Sequence, residues 1–156
     1  MAGFGCPPRV LRVSPFAFHH YASEYLQGVS SARTRAGVRY SPVPYFLCCR
    51  ALELVIKAFL LARGVSKDSL KKRAVGHNLD VVLAMARKHG LDVLVALEPQ
   101  EEEALLKASP QYSTKEFEYF EIARMVRRGD LPKLDFLESA ATKLVKGLRQ
   151  VCVEAA

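Results

Sequence analysis

Glu53 and Lys57 stand one helical turn apart in a run, Tyr45 to Gly64, that is apolar on almost every other face. A Glu four residues before a Lys attracts it along a helix. In a helix apolar nearly all round, which belongs among other helices, such a pair has two uses. It fixes helix packing as a half-buried ion pair, or it lines a polar pocket with Tyr45, Arg50 and the later Tyr112, Lys115 and Tyr119. His77 follows the basic run Lys71-Lys72-Arg73. Its imidazole suits contact with an anionic ligand beside those cations, or else ties its loop to a neighbouring helix. The candidate ligand-binding residues are therefore Arg50, Glu53, Lys57, Lys72, Arg73, His77, Tyr112, Lys115 and Tyr119. Any catalysis would fall to His77 and Arg73.

Other chemistries find no support in the residue pattern. His19 and His20 are adjacent, and neighbours on a regular helix do not easily chelate one metal; one reads as a surface residue and one as a boundary residue. Cys6, Cys48, Cys49 and Cys152 form no C-x-x-C pair and have no His at zinc-site spacing. Cys48 and Cys49 point apart on a helix, so all four read as structural thiols of a reducing compartment. There is no Gly-rich phosphate loop, no paired Asp of a nucleotidyltransferase, and no Ser or Cys nucleophile with an evident base. No metal and no cofactor is expected.

Charge is uneven. The net charge is +7, but residues 1 to 78 hold twelve Lys/Arg against three Asp/Glu, a net +9, and residues 79 to 156 a net −2. Such asymmetry points either to an anionic partner for the first half, RNA or a nucleotide phosphate, or to pairing between the basic and acidic halves.

The elements that must position these residues are helical. At 156 residues the chain fits one domain, read as residues 14–153 behind an irregular lead-in, residues 1–13. Ser14-Pro15 supplies a cap and a first-turn proline, and Phe18, Tyr21, Ala22, Tyr25, Leu26 and Val29 follow at helical spacing to about Ser31. Ser41-Pro42 starts a central helix, residues 42 to 63, which Gly64 ends. Asn78 is placed to cap the next helix, with Val82, Leu83, Met85 and Ala86 inward until Gly90. Val93 to Leu97 reads as a short element. Glu98-Pro99 opens an acid-led helix expected to stop before Pro110. Phe117 to Ile122 fits either an extended cover or a further helix. One last helix carries Leu137, Ala140, Ala141, Leu144, Leu148 and Val151. The expected fold is an all-α, up-and-down bundle of four to five main helices. The start of the chain lacks the pattern of a secretory signal. Charges also punctuate the longest apolar run, so no membrane span and a cytoplasmic location are expected.

The string Ala51-Leu52-Glu53 to Lys57-Ala58, running on through apolar residues to Gly64, and then Gly76-His77-Asn78-Leu79, resembles the HEPN superfamily of helical nucleotide-binding domains. The middle helix of that family typically reads Ala-x-Glu-x-x-x-Lys-Ala, and Gly-His-Asp-Leu opens the next one; Asn78 takes the place of the Asp. The resemblance covers roughly residues 15 to 152 in element order, but its specific motifs lie only between 50 and 83. It implies a bundle that dimerises, through the first helix (Phe18, Tyr21, Tyr25) or the segment Phe117 to Phe120. It also implies one of several roles: metal-independent ribonuclease, toxin–antitoxin or defence component, or silent partner of a small nucleotidyltransferase on another chain. Its ribonucleases carry an Arg and, about one and a half helical turns later, a His near the last helices. Here no His follows His89. Arg12 and His19 are separated by the helix start at Ser14-Pro15, and Arg73 and His77 are one residue too close with Gly76 between them. The expectation is a non-catalytic nucleotide- or RNA-binding module. The alternatives are a ribonuclease with a non-standard site and a helical scaffold with no nucleic-acid role.

Overall fold

The computed structural model describes residues 13–33, 41–118 and 131–156, and among these the chain is all-α. In order, α1 is Pro15–Arg33, α2 Val43–Ala62, α3 Lys67–Lys71, α4 Leu79–Lys88, α5 Leu91–Leu94, α6 Pro99–Ser113, α7 Leu134–Gly147 and α8 Arg149–Glu154. The apolar composition of α2 decides the architecture. Every residue from Ala51 to Leu60 is buried, and α1, α4, α6, α7 and α8 all pack around this one helix. Leu52, Ile56, Phe59 and Leu60 are wholly enclosed. Removing that much apolar surface from water is the main force holding the bundle together.

The ends of these helices follow from local chemistry. Ser14 Oγ accepts the Ala17 amide at 3.1 Å and opens α1. Gly64, at φ 87°, closes α2: its amide donates to the Leu61 carbonyl and that of Val65 to the Leu60 carbonyl, the paired bonds of a glycine-terminated helix. Gly90 does the same work after α4 at φ 88°. At α6, Glu98 and Glu101 exchange side-chain and backbone bonds in a capping box.

Five expectations need correction. Tyr21 belongs to no inward stripe: it is 55% exposed, whereas Phe18 and Tyr25 pack against the core. Asn78 sits at the N-cap position of α4 but makes no capping bond. Its amide donates instead to the Ala74 carbonyl at 3.0 Å, and the Asp80 amide is met by Ser109 Oγ from α6 at 3.2 Å. The short element comes two residues early, as α5, and leaves Val93 almost fully exposed. The acid-led helix runs through Pro110 to Ser113. Proline costs a helix its i−4 bond, yet Leu106, whose carbonyl loses that partner, and Pro110 lie on the exposed side of α6, where water replaces the donor. Finally, the last helix is two. It breaks at Leu148, between α7 and α8, where the buried His19 ring donates from Nε2 to the Val145 carbonyl at 2.6 Å.

The break stands beside a close approach. A Cβ built on Gly147 would come 2.3 Å from Val95 Cγ2, so only glycine lets the end of α7 meet the segment after α5. Gly147→Ala is expected to destabilise the fold by about 1–3 kcal/mol, the usual cost of overpacking, as read by urea unfolding. Adding Val95→Ala should return the Gly147 effect to near zero. Strict additivity of the two changes would show that the contact is not the cause.

Candidate functional site

Helical spacing puts Arg50, Glu53 and Lys57 on one face of α2, and the fold brings residues from two further segments onto it. Glu53 is 2% exposed, and its carboxylate accepts from four donors. Lys57 Nζ reaches Oε1 at 2.7 Å. Oε2 accepts from Arg50 Nη1 at 3.1 Å, from His77 Nδ1 at 3.0 Å and from the Tyr112 hydroxyl. Four donors match in number the roughly four acceptor sites of a carboxylate, with three of them crowded onto Oε2. Lys57 also donates to the Gly76 carbonyl at 2.7 Å, so α2, the turn before α4 and the end of α6 are held at one point.

Rings close the cluster. Tyr112 meets His77 edge-on with centroids 5.8 Å apart and leans against Phe46. The Arg50 guanidinium lies 5.9 Å from the centre of the Tyr25 ring, within cation–π reach.

Electrostatics fix who carries protons. Burial pushes the Glu53 carboxyl up, but the Lys57 charge and the hydrogen bonds from Lys57, Tyr112 and His77 outweigh it and hold it below the ordinary carboxylate range. Burial and the Glu53 charge raise the Tyr112 phenol well above its ordinary value. Burial opposes the charge on Arg50, yet neighbouring Glu53 more than offsets that and raises its guanidinium. At neutral pH Glu53 is thus an anion, Tyr112 a donor and Arg50 a cation, and none of the three exchanges a proton. His77 differs. Its Nδ1 proton is committed to Glu53, the ring is about half-exposed, and Nε2 is the nitrogen left for another partner.

The structure therefore gathers Arg50, Glu53, Lys57, His77 and Tyr112 from the sequence-derived set. Lys72 and Arg73 are exposed on the turn that leads to His77, which closes through the Gly76 amide on the Lys72 carbonyl at 2.8 Å. Neither pairs with a carboxylate among the described residues. Lys115 and Tyr45 do not join the cluster: Lys115 is exposed past α6 at φ 62°, and Tyr45 stacks on Phe117 at 5.5 Å instead. Tyr119 lies outside the described residues, as do Phe120, Ile122 and Cys6. Sequence reasoning missed Tyr25, Phe46 and the Gly76 carbonyl. The first two read as ordinary core aromatics, and a carbonyl has no sequence signal.

The three described thiols are buried. Burial pushes the Cys48 thiol up to about 12 and that of Cys152 to about 11, and Cys49 is raised well above its ordinary value, so none is a ready thiolate. Among the described residues no three His, Cys, Asp or Glu side chains converge as metal ligands, and no helix is long and apolar enough to cross a membrane. Comparison with family models, curated proteins and solved structures returns no match.

Because the folded-state pKa of Glu53 is depressed, its contribution to stability is present above the ordinary carboxyl value of 4.5 and is lost as pH falls through the lower folded value. Glu53→Gln, which leaves buried Lys57 without its anion, is expected to cost about 3–5 kcal/mol at pH 7. The gap between wild type and variant should then narrow in urea titrations below pH 4.5. Glu101 and Glu102 are also depressed, but they slope both proteins equally and cancel in the difference. A gap that stays constant down to pH 3 would contradict the assigned charge state.

Proposed function

We propose that this chain is a non-catalytic, HEPN-like module that binds a nucleotide or RNA at the turn between α3 and α4. The observation that carries the reading is the bond from His77 Nδ1 to buried Glu53. It fixes the ring at the surface beside Lys72 and Arg73, two cations with no described carboxylate to neutralise them. Phosphate oxygens would take Lys72 and Arg73 as counter-charges and His77 Nε2 as a directional contact, while Glu53, Lys57 and Tyr112 hold the turn in shape. The charge asymmetry of the chain supports an anionic partner. The resemblance adds three further proposals: a homodimer, a small nucleotidyltransferase on a separate chain as partner, and a place in a toxin–antitoxin or defence pair. Phe18, Tyr25 and Phe117 are committed to this chain's own core, which leaves Tyr21 as the exposed member of that described candidate set.

A second reading rests on the same bond. A carboxylate on Nδ1 orients an imidazole so that Nε2 can act as a base, here toward an RNA 2′-hydroxyl, with Arg73 stabilising charge on the phosphate. Against it stands the lack of a partner acid: Tyr112 is tied to Glu53 and keeps its proton.

Fluorescence anisotropy with a short single-stranded RNA separates these readings from a scaffold with no nucleic-acid role. Binding is expected to weaken steeply with salt, and Lys72→Gln with Arg73→Gln should lower affinity by about tenfold and flatten the salt dependence by roughly 0.7 per lost phosphate contact. The RNA should remain intact. Affinity unchanged in the double variant would remove the site, and cleavage that disappears in His77→Ala would favour the second reading.

A further inference from the structure

Far from Glu53 in sequence terms, α1 and the α7–α8 corner enclose a groove of about 380 Å³. That volume is at the lower end of small-molecule sites. The groove lies between two helical stripes, one on α1 and one that runs through Thr142, Val145, Lys146 and Arg149, and the bond from His19 to the Val145 carbonyl ties the two together. The floor is apolar, made of Phe16, Leu26 and Val145 with the His19 ring, which lies nearly parallel to Phe16 at 6.5 Å. Ser23 and Thr142 add hydroxyls to the walls.

The rim is basic. Lys146 and Arg149 line the groove and are exposed, and neither pairs with a carboxylate among the described residues. No acidic residue lines the groove; Glu24, on α1, is bound to His20 at 3.3 Å. An apolar floor with two unneutralised cations at its edge is complementary to one kind of molecule. We propose that this groove is a binding site for a small amphipathic anion, its apolar body on Phe16, Leu26 and Val145 and its carboxylate or phosphate head between Lys146 and Arg149. A neutral apolar ligand would leave the cations unused, and a polyanion would find no complement in the floor. The site is independent of the nucleotide-binding reading, since it shares no residue with that corner.

The probes are sodium octanoate, octyl phosphate and octanol, each added below its micellar concentration to the full ¹⁵N-labelled chain and followed by two-dimensional NMR. Both anions should shift amide signals within residues 16–27 and 142–149 and saturate at millimolar concentration or below, with octanol at least tenfold weaker. The relative strength of the two anions tells whether a carboxylate or a phosphate head is preferred. Lys146→Gln with Arg149→Gln, two exposed side chains with no described ion pair, should weaken both anions at least tenfold and leave the thermal melt and octanol unchanged. Lys72→Gln with Arg73→Gln should leave octanoate binding unaltered, which keeps this test separate from that of the RNA site. Octanol binding as tightly as the anions would overturn the proposal, as would shifts spread over the whole surface or an octanoate affinity indifferent to the loss of both cations.

Discussion

The buried carboxylate of Glu53 is the constraint on which the rest of the structure depends. An anion at 2% exposure is costly to hold unless every acceptor site is occupied, and the three elements that supply the donors must converge for that to happen. Lys57 and Arg50 come with α2 itself. His77 and Tyr112 come from α4's approach and α6's end, so the polar cluster sets the relative placement of helices that apolar contact alone would leave free to slide. Hydrophobic burial makes the bundle compact, and Glu53 gives it a register.

The same contact shapes what the surface can do. Lys57 spends one bond on Glu53 and another on the Gly76 carbonyl, and so the loop carrying Lys72, Arg73 and His77 is fixed from beneath. The side chains facing water are therefore a mixture: His77 is restrained at one nitrogen and offers the other, while Lys72 and Arg73 are restrained only through their backbone. A preformed turn of this kind lowers the ordering cost of gripping a ligand.

What could be read in the sequence divides by distance along the chain. The Glu53–Lys57 pair, the burial of α2 and the helix ends at Gly64 and Gly90 all follow from residues within a turn or two of each other, and all are found. The contacts that fail to announce themselves span large gaps. Tyr112 meets Glu53 across 59 positions, and His19 reaches Val145 across 126. Local rules also lose where tertiary partners compete. Asn78 has the right side chain for a cap, but Ser109 reaches the Asp80 amide, and Pro110 is tolerated because its side of α6 faces water. Lys115 and Tyr45 were grouped with the cluster by residue type alone, and type does not say which way a side chain is carried.

The uneven burial of the Glu53 cluster also constrains how such a chain can diverge. Arg50 and His77 approach from the wetter side, where water can stand in for a lost donor, so their loss carries a smaller penalty than loss of the enclosed Lys57. Loss of Glu53 strands Lys57 in the core, whereas loss of Lys57 leaves Glu53 with Arg50, so the anion is the harder of the two to replace. Change is therefore easier in the outer half of the network than in its inner half. Descendants of this fold could vary the turn many times while the helix beneath it kept its buried carboxylate.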